Sequence, residues 1–169
     1  MTDNNQNLGM PADAKPTVPS GINILTILTF IGCGISLLFS CYNFFNSKQG
    51  LDKMEEMINS GKVDDLPAFA KKFYTPEMVE MARKAYENRL PIFLITIVGI
   101  VLCFMGAMQM RKLKKQGFSL YVIGELLPVV ASAIFLGFNS VTGVFGIIGI
   151  CIALLFILLY AGQRKYLVN

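Results

Sequence analysis

The chain has 169 residues, of which 54% are hydrophobic and 15% are charged, with a formal charge of +4 and no histidine. A soluble domain carries about a quarter charged residues, so this composition points away from one and toward a membrane protein. With no His and no C-x-x-C spacing, zinc sites and Cys/His nucleophile arrangements are unsupported.

Residues 1–21 are polar and contain Pro11, Pro16 and Pro19, which reads as a disordered tail without apolar surface to bury. Four runs then follow that are long enough for a hydrocarbon core of about 30 Å: residues 22–45, 91–110, 118–138 and 141–161. The first run exceeds the usual apolar region of a cleaved signal and follows no basic start, so it reads as an anchor. The expected fold is an all-α integral membrane protein, a bundle of four transmembrane helices with short amphipathic helices in the first loop.

In the first span Thr26, Thr29, Cys33, Ser36, Ser40 and Asn43 recur at steps of three and four. The second span repeats this with Thr96, Gly99, Cys103 and Gly106. The third has Tyr121, Glu125, Pro128 and Ser132, and the fourth Thr142, Gly146, Gly149 and Ala153. Small residues at this period let helices approach closely where lipid offers no hydrophobic drive, so each stripe is expected to face the bundle. The four cysteines all lie in spans without C-x-x-C spacing and read as small packing residues. Tyr42, Tyr121, Tyr160 and Tyr166 fall near span ends, where aromatic residues favour the interface.

The loop at 46–90 divides into three short amphipathic helices. Leu51, Met54 and Ile58 form one face, closed by Gly61 as a cap; Leu66, Phe69 and Phe73 form a second. The third opens at Thr75-Pro76-Glu77, with a hydroxyl cap, proline at the first position and an acid in the first turn. About 45 residues make too small a core to stand alone, so these helices must rest on lipid, on the bundle ends or on a protein partner. Eight acids balance eight bases here, which argues against a polybasic lipid clamp. Met54/Met57 and Met78/Met81 read as deformable filler rather than a Cu(I) site, and no metal or other cofactor is expected.

Arg111, Lys112, Lys114 and Lys115 stand together in the loop at 111–117, and Arg164 and Lys165 open the tail at 162–169. Cations kept on the cytoplasmic side fix topology, which makes this cluster a topology anchor and places both termini in the cytoplasm of a cell whose inner membrane the chain crosses. The first loop carries eight cations against seven on the other side, but they are diluted over a long segment. Asn139 and Ser140 leave room only for a turn, so the third and fourth spans should form a tight hairpin.

Glu125 is the only formal charge in any span. Its place in the stripe turns it toward the bundle, with Tyr121 one turn earlier as a hydrogen-bond donor. Pro128 removes the N–H that would bond the Gly124 carbonyl, leaving a kink and a free acceptor beside the acid. Two readings stand: a carboxyl satisfied by neighbouring hydroxyls, by Lys114 or by Lys115, or an acid that exchanges a proton or ion during transport. Tyr121, Glu125, Pro128 and Ser132 therefore form the candidate intramembrane polar site.

Residues 106–128, above all Met110-Arg111-Lys112-Leu113-Lys114-Lys115-Gln116-Gly117-Phe118 with Leu120, Tyr121 and Gly124, resemble small four-span membrane proteins of unassigned function from bacteria of the Bacteroidetes type. The resemblance covers at most the second half of the chain. It implies a bacterial inner membrane and no particular activity. In that family an amide often stands at the position of Glu125, which implies hydrogen bonding rather than acid chemistry. The expected role is a non-enzymatic assembly, partner-binding or envelope-maintenance module, with the lipid bilayer as environment, residues 46–90 available to a protein partner and self-association open. The alternative is a small proton- or ion-coupled transporter or channel subunit using Glu125. No acid pair, phosphate loop or nucleophile motif points to an enzyme, and topology accounts for the basic cluster without nucleic acid.

Overall fold

The computed structural model describes residues 18–167. The expected tail falls mostly outside them, although Ser20 and Gly21 already belong to the first helix. In order, the chain forms α1 (Ser20–Asn59), a 3-10 turn (Lys62–Asp65), α2 (Ala68–Lys71), α3 (Pro76–Glu87), α4 (Arg89–Arg111), α5 (Gln116–Phe135), α6 (Phe138–Thr142), α7 (Val144–Gln163) and a last 3-10 turn (Arg164–Tyr166). There is no strand among the described residues. α1, α4, α5 and α7 are long and apolar enough to cross a membrane.

α1 differs from its expected form. It runs for 40 residues without interruption, so the amphipathic segment at Leu51, Met54 and Ile58 is its continuation rather than a separate helix. Hydropathy changes after Phe45, but Asn46, Ser47, Lys48 and Gln49 keep the helical hydrogen bonds, and polarity alone does not break a helix. α1 ends at Gly61, whose φ of 70° supplies the left-handed residue that closes it, with its N–H donated to the Ile58 carbonyl. Of the other two loop helices, the second shrinks to the single turn of α2. α3 is complete: Thr75 Oγ1 accepts from the Met78 N–H at 3.4 Å and Pro76 takes the first position.

α1 lies antiparallel to α4, with Phe30 against Phe104 and Phe44 against Phe93, both at 4.7 Å between ring centres. Beyond that contact α1 continues past the bundle and meets α3, where Arg83 donates to Glu55 at 2.6 Å.

The closest packing joins α4 to α5. Two glycine pairs make it: Gly99 faces Gly124, and seven residues on Gly106 faces Gly117. A Cβ on Gly106 would sit 2.7 Å from the Gly117 carbonyl oxygen, and one on Gly117 would sit 2.6 Å from the Gly106 oxygen. At the other pair the corresponding distances are 2.9 Å to the Gly124 oxygen and 2.8 Å to the Gly99 oxygen. Each carbonyl thus meets the α-hydrogens of its opposite glycine, the geometry of Cα–H···O contacts between helices, worth about 0.5–1 kcal/mol each. Gly99, Cys103 and Gly106 of the expected second-span stripe lie in this seam; on α5 they meet Tyr121, Glu125 and Pro128 of the expected stripe together with Gly117 and Gly124, which were not part of it.

α4 closes on itself before α5 starts. The Leu113 N–H bonds the Met110 carbonyl at 2.9 Å and the Lys114 N–H bonds the Gln109 carbonyl at 3.0 Å, the paired pattern of a Schellman end. Its left-handed residue is Leu113, at φ 60°, where glycine is usual. The Leu113 side chain enters a cluster with Ile22, Met110, Tyr121, Tyr160 and Leu167, so burial offsets the backbone cost.

The expected tight hairpin of the third and fourth spans is replaced by a wider connection. α5 stops at Phe135, Gly137 turns the chain at φ 92°, and Asn139 and Ser140 lie within α6. Ser140 Oγ donates to the carbonyls of Gly137 at 2.7 Å and Ser132 at 3.1 Å. In α7 the expected stripe breaks up. Gly146 lies against the Ser140 and Val141 carbonyls of α6, Ala153 is buried, and Gly149 faces open space. Local composition is alike at Gly106 and Gly149; only the neighbour differs.

Exposure is inverted relative to a water-soluble bundle. Leu38, Phe45, Ile134, Val144 and Leu158 are all exposed, whereas Thr26 and Thr29 are among the most buried side chains. The start of α1, the Arg111–Lys115 turn and the end of α7 share one end of the bundle, where a Cβ on Gly21 would meet the Gln163 amide and Arg164 lies over the Phe118 ring at 5.1 Å. Arg111, Lys112, Lys114 and Lys115 are exposed there.

Candidate functional site

Glu125 is half-buried near the middle of α5, nine residues from its start at Gln116 and ten from its end at Phe135. Tyr121 Oη donates to Glu125 Oε1 at 3.1 Å. From α4, the Cys103 thiol lies 3.7 Å from Oε2 and 3.8 Å from the Tyr121 carbonyl, and as a weak donor it serves both acceptors. The carboxyl therefore meets a phenol from its own helix and a thiol from the next. Among the described residues neither Lys114 nor Lys115 pairs with it.

The polar array continues away from Glu125. The Tyr121 ring packs against the Tyr160 ring of α7, with centres 4.7 Å apart and planes at 55°. Tyr160 Oη shares a hydrogen bond of 2.8 Å with Thr29 Oγ1 of α1, and Thr26 Oγ1 donates to its own helix at the Ile22 carbonyl, 2.6 Å away. Residues from all four long helices thus meet around Glu125, Tyr121 and Tyr160.

Two of the sequence-predicted partners play other parts. Pro128 does free the Gly124 carbonyl, but that oxygen points into the Gly99 α-carbon across the seam, and Pro128 Cγ packs on the same glycine. The expected free acceptor is spent on holding α4. Ser132 donates to the Val129 carbonyl at 2.8 Å within α5, two turns beyond Glu125, and does not join it. Tyr160, expected at the interface, is buried, as is Tyr121, whereas Tyr42 and Tyr166 are exposed. Tyr160 stands seven residues after Ala153, so extending the α7 stripe by one more repeat would have found it.

A second feature lies toward the first-loop end. A groove of about 720 Å³ lies between α1 beyond Ser36, α3 and the start of α4. Phe44, Phe93 and Leu136 line its lower part, Ser40 and Asn43 its polar side, and Lys53 and Arg89 its upper part. None of the acids of the first loop lines it. The Arg89 guanidinium lies over the Tyr86 ring at 4.6 Å, which fixes its plane and leaves its edge donors free to bond outward. Sequence reasoning missed the groove because it depends on α1 continuing as a helix past Phe45. The sign lay in the uninterrupted α1 stripe through Asn43 to Ser47.

No protein-family model, curated protein or solved structure matches this chain.

Proposed function

We propose that the chain is a non-enzymatic integral membrane protein, a four-span bundle that acts by binding a partner in the groove between α1, α3 and α4. The observation that carries this reading is that groove, where polar, cationic and apolar side chains converge on open space. In this reading the basic turn and both termini lie in the cytoplasm of a bacterial inner membrane, and the groove opens on the far side. The glycine seam serves as the rigid frame against which α1 and α3 are held.

Transport through Glu125 is the second reading. It is favoured by the phenol and hydroxyl array that leads from Glu125 through Tyr121 and Tyr160 to Thr29. Against it, the carboxyl is already engaged on both oxygens, and no other ionisable acid or base lies in the spans. A proton relay needs a second station, and a Glu held by fixed donors is as well served by an amide.

The two readings separate in vesicles carrying the purified protein and a trapped pH indicator. We expect no protein-dependent proton leak from wild type, and Glu125→Gln to match it in both flux and yield, because Tyr121 can donate equally to an amide oxygen. A leak present in wild type and abolished by Glu125→Gln would overturn the binding reading.

A further inference from the structure

We infer that the occupant of the groove is a membrane lipid with an anionic phosphate head group, its acyl chains lying along Phe44, Phe93 and Leu136 and its phosphate held between Arg89 and Lys53. This rests on the groove being a binding face, as proposed above, and names what it takes.

Three observations converge on a lipid. The first is charge selection. The first loop has as many acids as bases, yet the groove receives Lys53 and Arg89 and no Asp or Glu. Among the described residues neither cation enters an ion pair: the pairs of this region are Lys71 with Asp64, Arg83 with Glu55 and Lys84 with Glu80. The balanced loop composition that argued against a lipid clamp thus hides a local segregation of charge.

The second is level. Phe44 of α1 stacks on Phe93 of α4, which fixes a common height. Arg89 lies four residues from Phe93 and Lys53 nine from Phe44, so they stand roughly 6 Å and 13 Å beyond the aromatic pair. That separation brackets a head-group layer, which adds roughly 5–8 Å to each side of the hydrocarbon. A flexible lysine above and a planar guanidinium below suit a phosphate, whose oxygens accept bidentate bonds from Arg.

The third is continuity with lipid. The groove is open, and its apolar lining includes Phe39, exposed at 67%, with Leu38 and Phe45 exposed next in sequence to the lining residues Phe39 and Phe44. An occupant that is polar above and apolar below can enter sideways from the bilayer. The volume, about 720 Å³, is in the range of sites that enclose a small molecule.

The test uses the full chain in nanodiscs made from equal parts phosphatidylcholine and phosphatidylglycerol, released for native mass spectrometry. Wild type should retain phosphatidylglycerol in preference to phosphatidylcholine. Lys53→Gln/Arg89→Gln should reduce that preference about 30-fold, as expected for two cations near a membrane surface. Lys62→Gln/Lys72→Gln removes the same charge outside the groove and should leave the preference unchanged. Equal retention of both lipids by wild type, or an equal loss in the two double variants, would overturn the inference. So would displacement of the lipid by excess inorganic phosphate, which would mark a simple anion site. The groove-filling variant Ser40→Phe separates this inference from the reading beneath it. If wild type is instead a lipid-free dimer that Ser40→Phe dissociates, the lipid is wrong and the groove still binds. If neither lipid retention nor assembly responds to Ser40→Phe, both are wrong.

Discussion

The glycine seam sets a sharp expectation for Gly106→Ala. The new methyl would lie 2.7 Å from the Gly117 carbonyl oxygen and 2.7 Å from the Tyr121 nitrogen, both backbone atoms that cannot rotate away. Ordinary contact begins near 3.4 Å, so α4 and α5 must separate by about 0.7 Å. Such a gap forfeits roughly a quarter to a half of the dispersion energy along the contact and weakens the Cα–H···O bonds. Overpacking costs of about 1–3 kcal/mol apply, against which alanine recovers about 1 kcal/mol of helix propensity. The net loss should be about 1–2 kcal/mol once the weakened Cα–H···O contacts are included. Gly34→Ala supplies the control, since its methyl would meet nothing within 4 Å and should stabilise by about 0.5–1 kcal/mol. Because Gly106 and Gly117 share one contact, the double variant should cost less than the sum of the single ones. Circular dichroism during denaturant titration in mixed micelles measures all four. If Gly106→Ala proved as benign as Gly34→Ala, the seam would not be the close contact described.

Two other expectations concern the ends of helices. Leu113→Gly relieves a left-handed leucine worth about 1 kcal/mol but removes a buried side chain worth about 1.5–3 kcal/mol, so it should destabilise on balance; a gain in the same titration would mean that the buried cluster contributes little. In α3 the Thr75 hydroxyl holds Glu77 below the ordinary carboxylate range, and Lys84 does the same for Glu80. Lowered values mean that their contribution is present above the unfolded carboxylate value and is lost as the pH falls through the folded one. Amide exchange across α3 should therefore quicken relative to α4 in strongly acidic buffer, after correction for intrinsic rates, and Thr75→Ala should weaken that pH dependence.

The four long helices were legible because length and apolar content are local properties. So was the start of α3, since Thr75, Pro76 and Glu77 act within one turn. The meeting of Tyr121 with Glu125 was also legible, being a single-helix spacing of four. What was not legible depended on neighbours. Gly106 and Gly149 sit in equally apolar, glycine-bearing runs, and only the approach of α5 gives the first its role. Pro128 frees a carbonyl in any helix, but whether that oxygen binds an ion or a glycine is decided across the interface. The one α4 partner described for Glu125, Cys103, and the burial of Tyr160 follow from the same packing. The groove needed one further fact, that α1 does not stop where its hydropathy does.

An unbroken helix of 40 residues is about 60 Å long, and its mechanical character follows from where it is held. Near its start Ile22, Leu25, Thr26 and Thr29 are buried, whereas most side chains from Ile31 to Gly50 are exposed. α1 is thus held most firmly at the basic end, and further along by Cys33 at the Ile100 carbonyl, by its phenylalanine contacts with α4 and by α3, beside which Leu51 is buried. Leu51 lies 22 residues beyond Thr29, so a pivot of about 10° at the basic end carries it roughly 6 Å sideways. A small rotation among the buried threonines and Tyr160 at one end of the bundle would therefore be felt as a displacement of that size at the groove on the other end. The Arg83–Glu55 pair is the strut that α3 sets against that swing.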